Sequence, residues 1–222
     1  MTGKTMMTLA ALVLAAAPAA AQVPASPFSL EVRGRAAYPT GDFGEEDETG
    51  SGVETGWGGS VAGHFQVTPV LSVYGGYSFT RFPTDLGDLE AELEALGIDD
   101  ASIDIDDTGF DAGLRAMVPA GGGSAFLRGG LVYHRADVQL SDDLEDAIGG
   151  ILDPDELDSD WSLGWQAGAG LLLPLGPRLS ASLGASYTSY EPRFGDDSGE
   201  FEVSGESDLT YASIEVGLEF RP

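Results

Sequence analysis

Residues 57–79 run Trp57-Gly58-Gly59-Ser60-Val61-Ala62-Gly63-His64-Phe65-Gln66-Val67-Thr68-Pro69-Val70-Leu71-Ser72-Val73-Tyr74-Gly75-Gly76-Tyr77-Ser78-Phe79. Up to Val67 the odd positions Trp57, Gly59, Val61, Gly63 and Phe65 are apolar or glycine, and Ser60, His64 and Gln66 stand between them. From Leu71 the odd positions Val73, Gly75, Tyr77 and Phe79 repeat the pattern. Alternation is the period of a β-strand, whose successive side chains point to opposite faces. The two runs therefore predict an antiparallel hairpin turning at Thr68-Pro69-Val70, where the missing proline N–H costs no ladder bond.

Working outward, six more segments share this period. Phe28 to Tyr38 lies before the hairpin; runs from Phe110 to Val118, Leu127 to Tyr133, Trp161 to Leu171, Leu179 to Tyr187 and Ala212 to Phe220 follow it. Each is near the roughly 9–11 residues that cross a bilayer when tilted. The connections alternate between long and short, the other short ones being Pro119-Ala120-Gly121-Gly122-Gly123-Ser124 and Pro174-Leu175-Gly176-Pro177-Arg178. An even number of tilted strands with short turns at one end and long loops at the other predicts an all-β fold: an eight-stranded antiparallel transmembrane up-and-down β-barrel, with short periplasmic turns and long acidic external loops.

Energy chooses the face that meets lipid. A one-residue slip would turn Arg33, Arg35, Asp111, Arg115, Arg128 and Glu215 outward, and one arginine at the bilayer midplane costs about 2–4 kcal/mol. In the register above the outward face is nearly free of charge. Arg81 and Arg135 share its parity but fall at strand ends near the outer rim. Aromatic residues gather at the strand ends, as interfacial girdles require.

Residues 1–21 predict a secretory signal peptide, with Lys4, an apolar run from Leu9 to Ala17 and Ala19-Ala20-Ala21 as the cleavage site, leaving 22–222 as the barrel domain. The chain carries 37 acidic against 10 basic residues, a net charge of -27, and no cysteine. That balance argues against a nucleic-acid partner, which needs Lys and Arg to neutralise phosphates. Thiolate chemistry, disulfides and cysteine-bound zinc are excluded outright.

The chain resembles the small eight-stranded outer-membrane proteins of the OmpA/OmpX/OmpW type, the outer membrane protein beta-barrel domain group. The residues that carry the likeness are Ala36-Ala37-Tyr38-Pro39-Thr40-Gly41-Asp42-Phe43, Trp57-Gly58-Gly59-Ser60-Val61-Ala62-Gly63 and Leu71-Ser72-Val73-Tyr74-Gly75-Gly76-Tyr77-Ser78. The resemblance implies the cell outer membrane, with membrane lipid and lipopolysaccharide as surroundings and a monomer as the expected state. Such barrels usually end on an aromatic residue, whereas here Arg221-Pro222 follow Phe220; the peptidoglycan-binding domain of some relatives is also not seen in this sequence.

Inward parity collects Glu31, Asp111, Glu215 and Glu219 with Arg33, Arg35, Arg115 and Arg128, a formally neutral set. Closure sets the last strand beside the first, so Glu215 and Glu219 are expected next to Arg33 and Arg35. An eight-stranded barrel is just wide enough for side chains to fill. A salt-bridge plug is therefore expected, with a proton or ion path as the sharper alternative. Gly164, Gly168, Gly170, Ser182, Gly184 and Ser186 are expected to leave room for water on one side.

No enzyme is expected. The lipid A deacylases among such barrels would show His-x-Ser, whereas His64 precedes Phe65-Gln66 and His134 precedes Arg135-Ala136. No cofactor or metal site is expected either.

All of the 37 acids except those four inward ones fall in the segments Asp42–Glu54, Asp85–Asp107, Asp137–Asp160 and Glu191–Asp208. Within them Leu86, Leu89, Leu93 and Leu96 are spaced as one face of a helix, and Leu144, Ile148 and Ile151 form a weaker counterpart. These stripes are expected to pack as a cap over the barrel mouth, with a groove for an apolar ligand as the alternative. An EF-hand starting at Asp104 fails because its twelfth position is Arg115. Diffuse Ca²⁺ or Mg²⁺ binding between the acidic loops and lipopolysaccharide stays open. The expected role is structural or surface-interactive, the alternative a narrow passive channel for small or hydrophobic solutes. A soluble periplasmic barrel is the third possibility.

Overall fold

The computed structural model describes residues 26–44, 52–87, 101–141, 158–194 and 208–222, together with Leu93 and Leu144. The proposed signal peptide lies outside them. Eight long strands build the wall: β1 (Phe28–Pro39), β2 (Gly56–Thr68), β3 (Leu71–Asp85), β4 (Ile103–Ala120), β5 (Gly123–Leu140), β6 (Ser162–Pro174), β7 (Leu179–Tyr190) and β8 (Leu209–Phe220). Each pairs antiparallel with its chain neighbours, and β8 pairs with β1, so the sheet closes on itself. Closure leaves no unpaired edge, which a lipid solvent demands. The turn between β4 and β5 is held to Gly121-Gly122, where Gly121 takes a left-handed φ of 57° that glycine adopts without strain.

The expected parity holds along every strand. Val32, Trp57, Leu114, Leu131, Leu163 and Val216 face outward and are exposed, while Glu31, Ser60, Arg115, Arg128, Gln166 and Glu215 face inward and are buried. At the outer interface the girdle is a connected set of rings. Tyr77 meets Phe110 edge-on at 5.5 Å between centroids, and Trp161 stacks on Phe110 at 6.0 Å and on Tyr133 at 5.1 Å.

Strands β3, β4 and β5 continue beyond that girdle, which corrects the expected strand ends. Asp104, Asp106 and Asp107 belong to β4 rather than to a loop. The apolar/polar alternation fades there because the outward face leaves lipid and becomes charged, although the pleat goes on. Arg81 makes a bidentate pair with Asp106 at 2.6 and 2.5 Å, and Arg135 lies 3.0 Å from Asp137. Each arginine also covers a girdle ring, Arg81 over Phe79 at 5.9 Å and Arg135 over Trp161 at 5.8 Å.

The inward glycines correct a second expectation. The space beside Gly170 and Gly184 is taken by the Phe126 ring, 2.6 and 3.3 Å from a Cβ built at either position. Gly168 makes room for Arg128 and Gly164 for Tyr190. On the other side of the lumen Gly113 and Gly130 accommodate the Tyr74 hydroxyl. These positions are small where a neighbour is large, so the side chains interdigitate there.

A comparison of two glycines tests this. Gly113→Ala would set a Cβ 2.3 Å from the Gly129 carbonyl oxygen and 2.7 Å from the Tyr74 hydroxyl. Gly75, facing lipid, has only the Asp111 carbonyl at 3.9 Å. Gly113→Ala is expected to destabilise by about 1–3 kcal/mol and Gly75→Ala to leave the urea midpoint of the refolded protein unchanged. Equal midpoints for the two variants would contradict a packed lumen.

Candidate functional site

The lumen holds three layers of side chains. At the inner end Glu31 on β1 and Glu219 on β8 are direct cross-strand neighbours, as are Arg115 on β4 and Arg128 on β5. Like charges in such positions repel. The relief comes from across the barrel, since β4 and β5 stand opposite the β8–β1 junction in the ring of eight. Arg115 reaches Glu219 at 2.8 Å and Glu31 at 3.4 Å. His64 Nε2 lies 2.9 Å from the same Glu31 oxygen, and Arg221 reaches Glu219 at 3.1 Å.

In the middle layer Glu215 accepts from Arg128 at 2.6 Å, from Arg33 at 3.0 Å and from the Ser186 hydroxyl at 2.9 Å. The expected partnership of Glu215 and Glu219 with Arg33 and Arg35 is thus corrected in two places. Glu219 pairs with Arg115 and Arg221. Arg35, although the cross-strand neighbour of Glu215, has no ion pair among the described residues, because Glu215 is already engaged by Arg33 and Arg128.

The outer layer centres on Asp107, which parity alone would have placed inward, four residues before Asp111. Its carboxylate accepts from Tyr190 at 2.9 Å, from Tyr211 at 2.8 Å and from His134 Nδ1 at 2.8 Å. His134 Nε2 faces Asp111 at 3.1 Å and Ser78 Oγ at 3.3 Å. Ser78, His134 and Asp107 therefore share the connectivity of a hydrolase triad. Asp111 is nevertheless the nearer group to Nε2, at 3.1 Å against 3.3 Å for the Ser78 hydroxyl. All three residues are also buried.

Glu31, His64 and Glu219 bring three potential ligand atoms within 4.8 Å of one another, the single such group among the described residues. The Arg115 guanidinium, within ion-pair distance of both carboxylates at 3.4 and 2.8 Å, supplies the positive charge a cation would bring.

Above Asp107 the mouth is apolar. Ala37, Phe82, Val132, Ala136, Tyr190, Leu209 and Tyr211 pack as one buried cluster, with Phe43, Val53 and Ile105 against it. Phe43, on a 3-10 turn at Gly41–Gly44, meets Phe82 edge-on at 5.2 Å, and Phe82 lies 5.3 Å from the Tyr211 ring. The expected cap of loop leucines is described only in part. Leu86 and Leu144 are buried and Leu93 is half-buried in a helical position, whereas Leu89, Leu96, Ile148 and Ile151 lie outside the described residues. Inward aromatics at the strand ends carried the signal for this cluster. Outside the membrane, burial pushes the Asp137 carboxyl above its ordinary range, with Asp158 and Asp106 adding to the rise against the pull of Arg135.

A family model described as outer membrane protein beta-barrel domain matches residues 7–221. The chain belongs to this family. As an outer membrane protein beta-barrel domain it is similar to several solved structures. Neisserial surface protein A aligns at 12% identity and a TM-score of 0.53, over 89% of this chain and 98% of that one. Ail of Yersinia pestis aligns at 13% and 0.47, over 88% and 97%. The Escherichia coli outer membrane protein W aligns at 14% and 0.43, over 90% and 100%. At such identities the likeness is one of fold. No curated protein sequence matches the chain.

Proposed function

We propose that this outer-membrane barrel has a structural or surface-interaction role, without catalysis, and that a salt-bridge plug closes its lumen. The observation that carries the proposal is the filling of the interior. Glu31, Arg115, Arg128, Glu215, Glu219 and His134 are all at most 8% exposed, and the inward glycines are occupied by neighbouring side chains. Cross-lumen pairs at 2.6–3.4 Å tie opposite walls together, and the Phe82–Tyr211 cluster lies above them. To the acidic connections we assign lipopolysaccharide and divalent cations as neighbours.

Single-channel recording tests the closed lumen. Purified protein, shown to be folded by heat-modifiable gel mobility, is expected to give no stepwise conductance in planar bilayers. Reproducible steps would establish the passive-channel alternative instead.

A further inference from the structure

The closing seam of the barrel is the one neighbouring pair of strands that no turn connects. For the other pairs the connecting segment limits the register, most tightly at the three short turns. Between β1 and β8 the side chains must choose. The outward face cannot do so, because it tolerates a slip of two residues. In the observed register Val32 faces Leu218 and Ala36 faces Ile214. After such a slip Val32 would face Phe220 and Ala36 would face Val216, still apolar throughout.

The inward face makes the choice more pointed. The observed register sets Glu31 against Glu219 and leaves Arg33 opposite Gly217. The slipped one would set Arg33 against Glu219 and Glu31 against Arg221, removing the like-charge pair while moving Arg35 from Glu215 to Gly217. On the two strands alone the slipped register thus offers two directly opposed ion pairs and no like-charge pair, whereas the native one keeps Arg35 opposite Glu215 and Arg33 on Glu215 at 3.0 Å but carries the Glu31–Glu219 repulsion. The native one is held from the far wall, where a single Arg115 guanidinium bridges both seam acids, at 2.8 Å to Glu219 and 3.4 Å to Glu31. Arg115 is itself buried and held near the Phe126 ring at 5.8 Å, which limits where its guanidinium can point. Gly217 completes the arrangement, since Arg33 Cγ lies 2.6 Å from where its Cβ would be.

We propose that Arg115 is a register clamp: by bridging Glu31 and Glu219 it selects the β1–β8 pairing. Register around a closed sheet sets its stagger, and stagger together with strand number sets barrel width. The clamp thereby sets the bore of the lumen, whether or not that lumen conducts ions.

The chain has no cysteine in its sequence, so introduced pairs report cleanly. Val32→Cys with Leu218→Cys reads the native register, and Val32→Cys with Phe220→Cys the slipped one, through copper-catalysed or short-linker cross-linking in refolded full-length protein. In the otherwise native chain the first pair is expected to form the intrachain cross-link and the second to stay uncross-linked, read by the mobility of the unfolded chain. Arg115→Gln is expected to reverse the preference, and Arg115→Lys, which cannot fork to both acids, to populate both. Glu31→Gln with Glu219→Gln removes both the repulsion and the alternative pairs, so adding it to Arg115→Gln is expected to restore the first cross-link. The clamp is refuted if Arg115→Gln retains the native cross-link alone. Should Arg115→Gln fail to fold, recovery of native cross-linking by the triple variant supports the clamp, and failure of the triple variant overturns it. Because the readout is strand register, its failure is distinct from any finding of conductance.

Discussion

Glu215→Gln is expected to lower the unfolding free energy by about 3–5 kcal/mol, the scale for removing one partner of a buried ion pair. Glu215 is the only described acid within ion-pair distance of Arg128, and it also accepts from Arg33 and Ser186. Glutamine preserves the shape but offers one carbonyl and no charge, which strands a guanidinium that is 8% exposed. Urea unfolding of the refolded protein, followed by tryptophan fluorescence and by gel mobility, reads the loss. Adding Arg128→Gln should recover part of it, because the orphaned charge leaves with its side chain. Glu219→Gln is expected to cost less, since Arg115 keeps Glu31 as a partner. A Glu215→Gln midpoint indistinguishable from the parent would show that the middle layer is water-screened rather than a plug.

The second large effect is expected at Asp107→Asn. Two tyrosine hydroxyls and His134 Nδ1 converge on this carboxylate. An amide presents one carbonyl oxygen to three donors and turns an NH2 group toward the rest. Each buried donor left without an acceptor costs about 1–3 kcal/mol, so a loss of roughly 3 kcal/mol or more is expected. The damage should be local. Amide exchange is expected to quicken around Val132–Ala136 and Tyr190 at the outer mouth, while Glu31 and Arg115 at the inner end stay protected. Uniform exchange along the strands, or none above the parent, would remove Asp107 from the role assigned to it.

These two sites differ in how far the sequence revealed them. Glu215 could be found by parity, lying between outward Ile214 and Val216 in a strand of clear period. Asp107 could not be found in the same way, because Thr108, Asp106 and Asp104 replace the apolar residues that make parity visible. Extending the count from Phe110 would have placed it inward, and the same extension along their own strands would have placed Phe82, Tyr190 and Tyr211 inward. The signal was there, carried by position rather than by composition.

The sequence by itself determined the architecture and the face each side chain takes. Period two, charge-free outward positions and alternating connection lengths admit one economical answer, because a charge facing lipid is costly and an unpaired strand edge in lipid is costlier still. Which inward groups meet was decided only in three dimensions. Parity says that Glu31, Glu219 and Arg115 all point inward, but not at what height or across which diameter. Those depend on the stagger accumulated around the ring. Strand adjacency alone would have matched Glu219 with Arg33, and the closed barrel matched it with an arginine from the opposite wall, because a lumen this narrow makes the far side as near as the next strand.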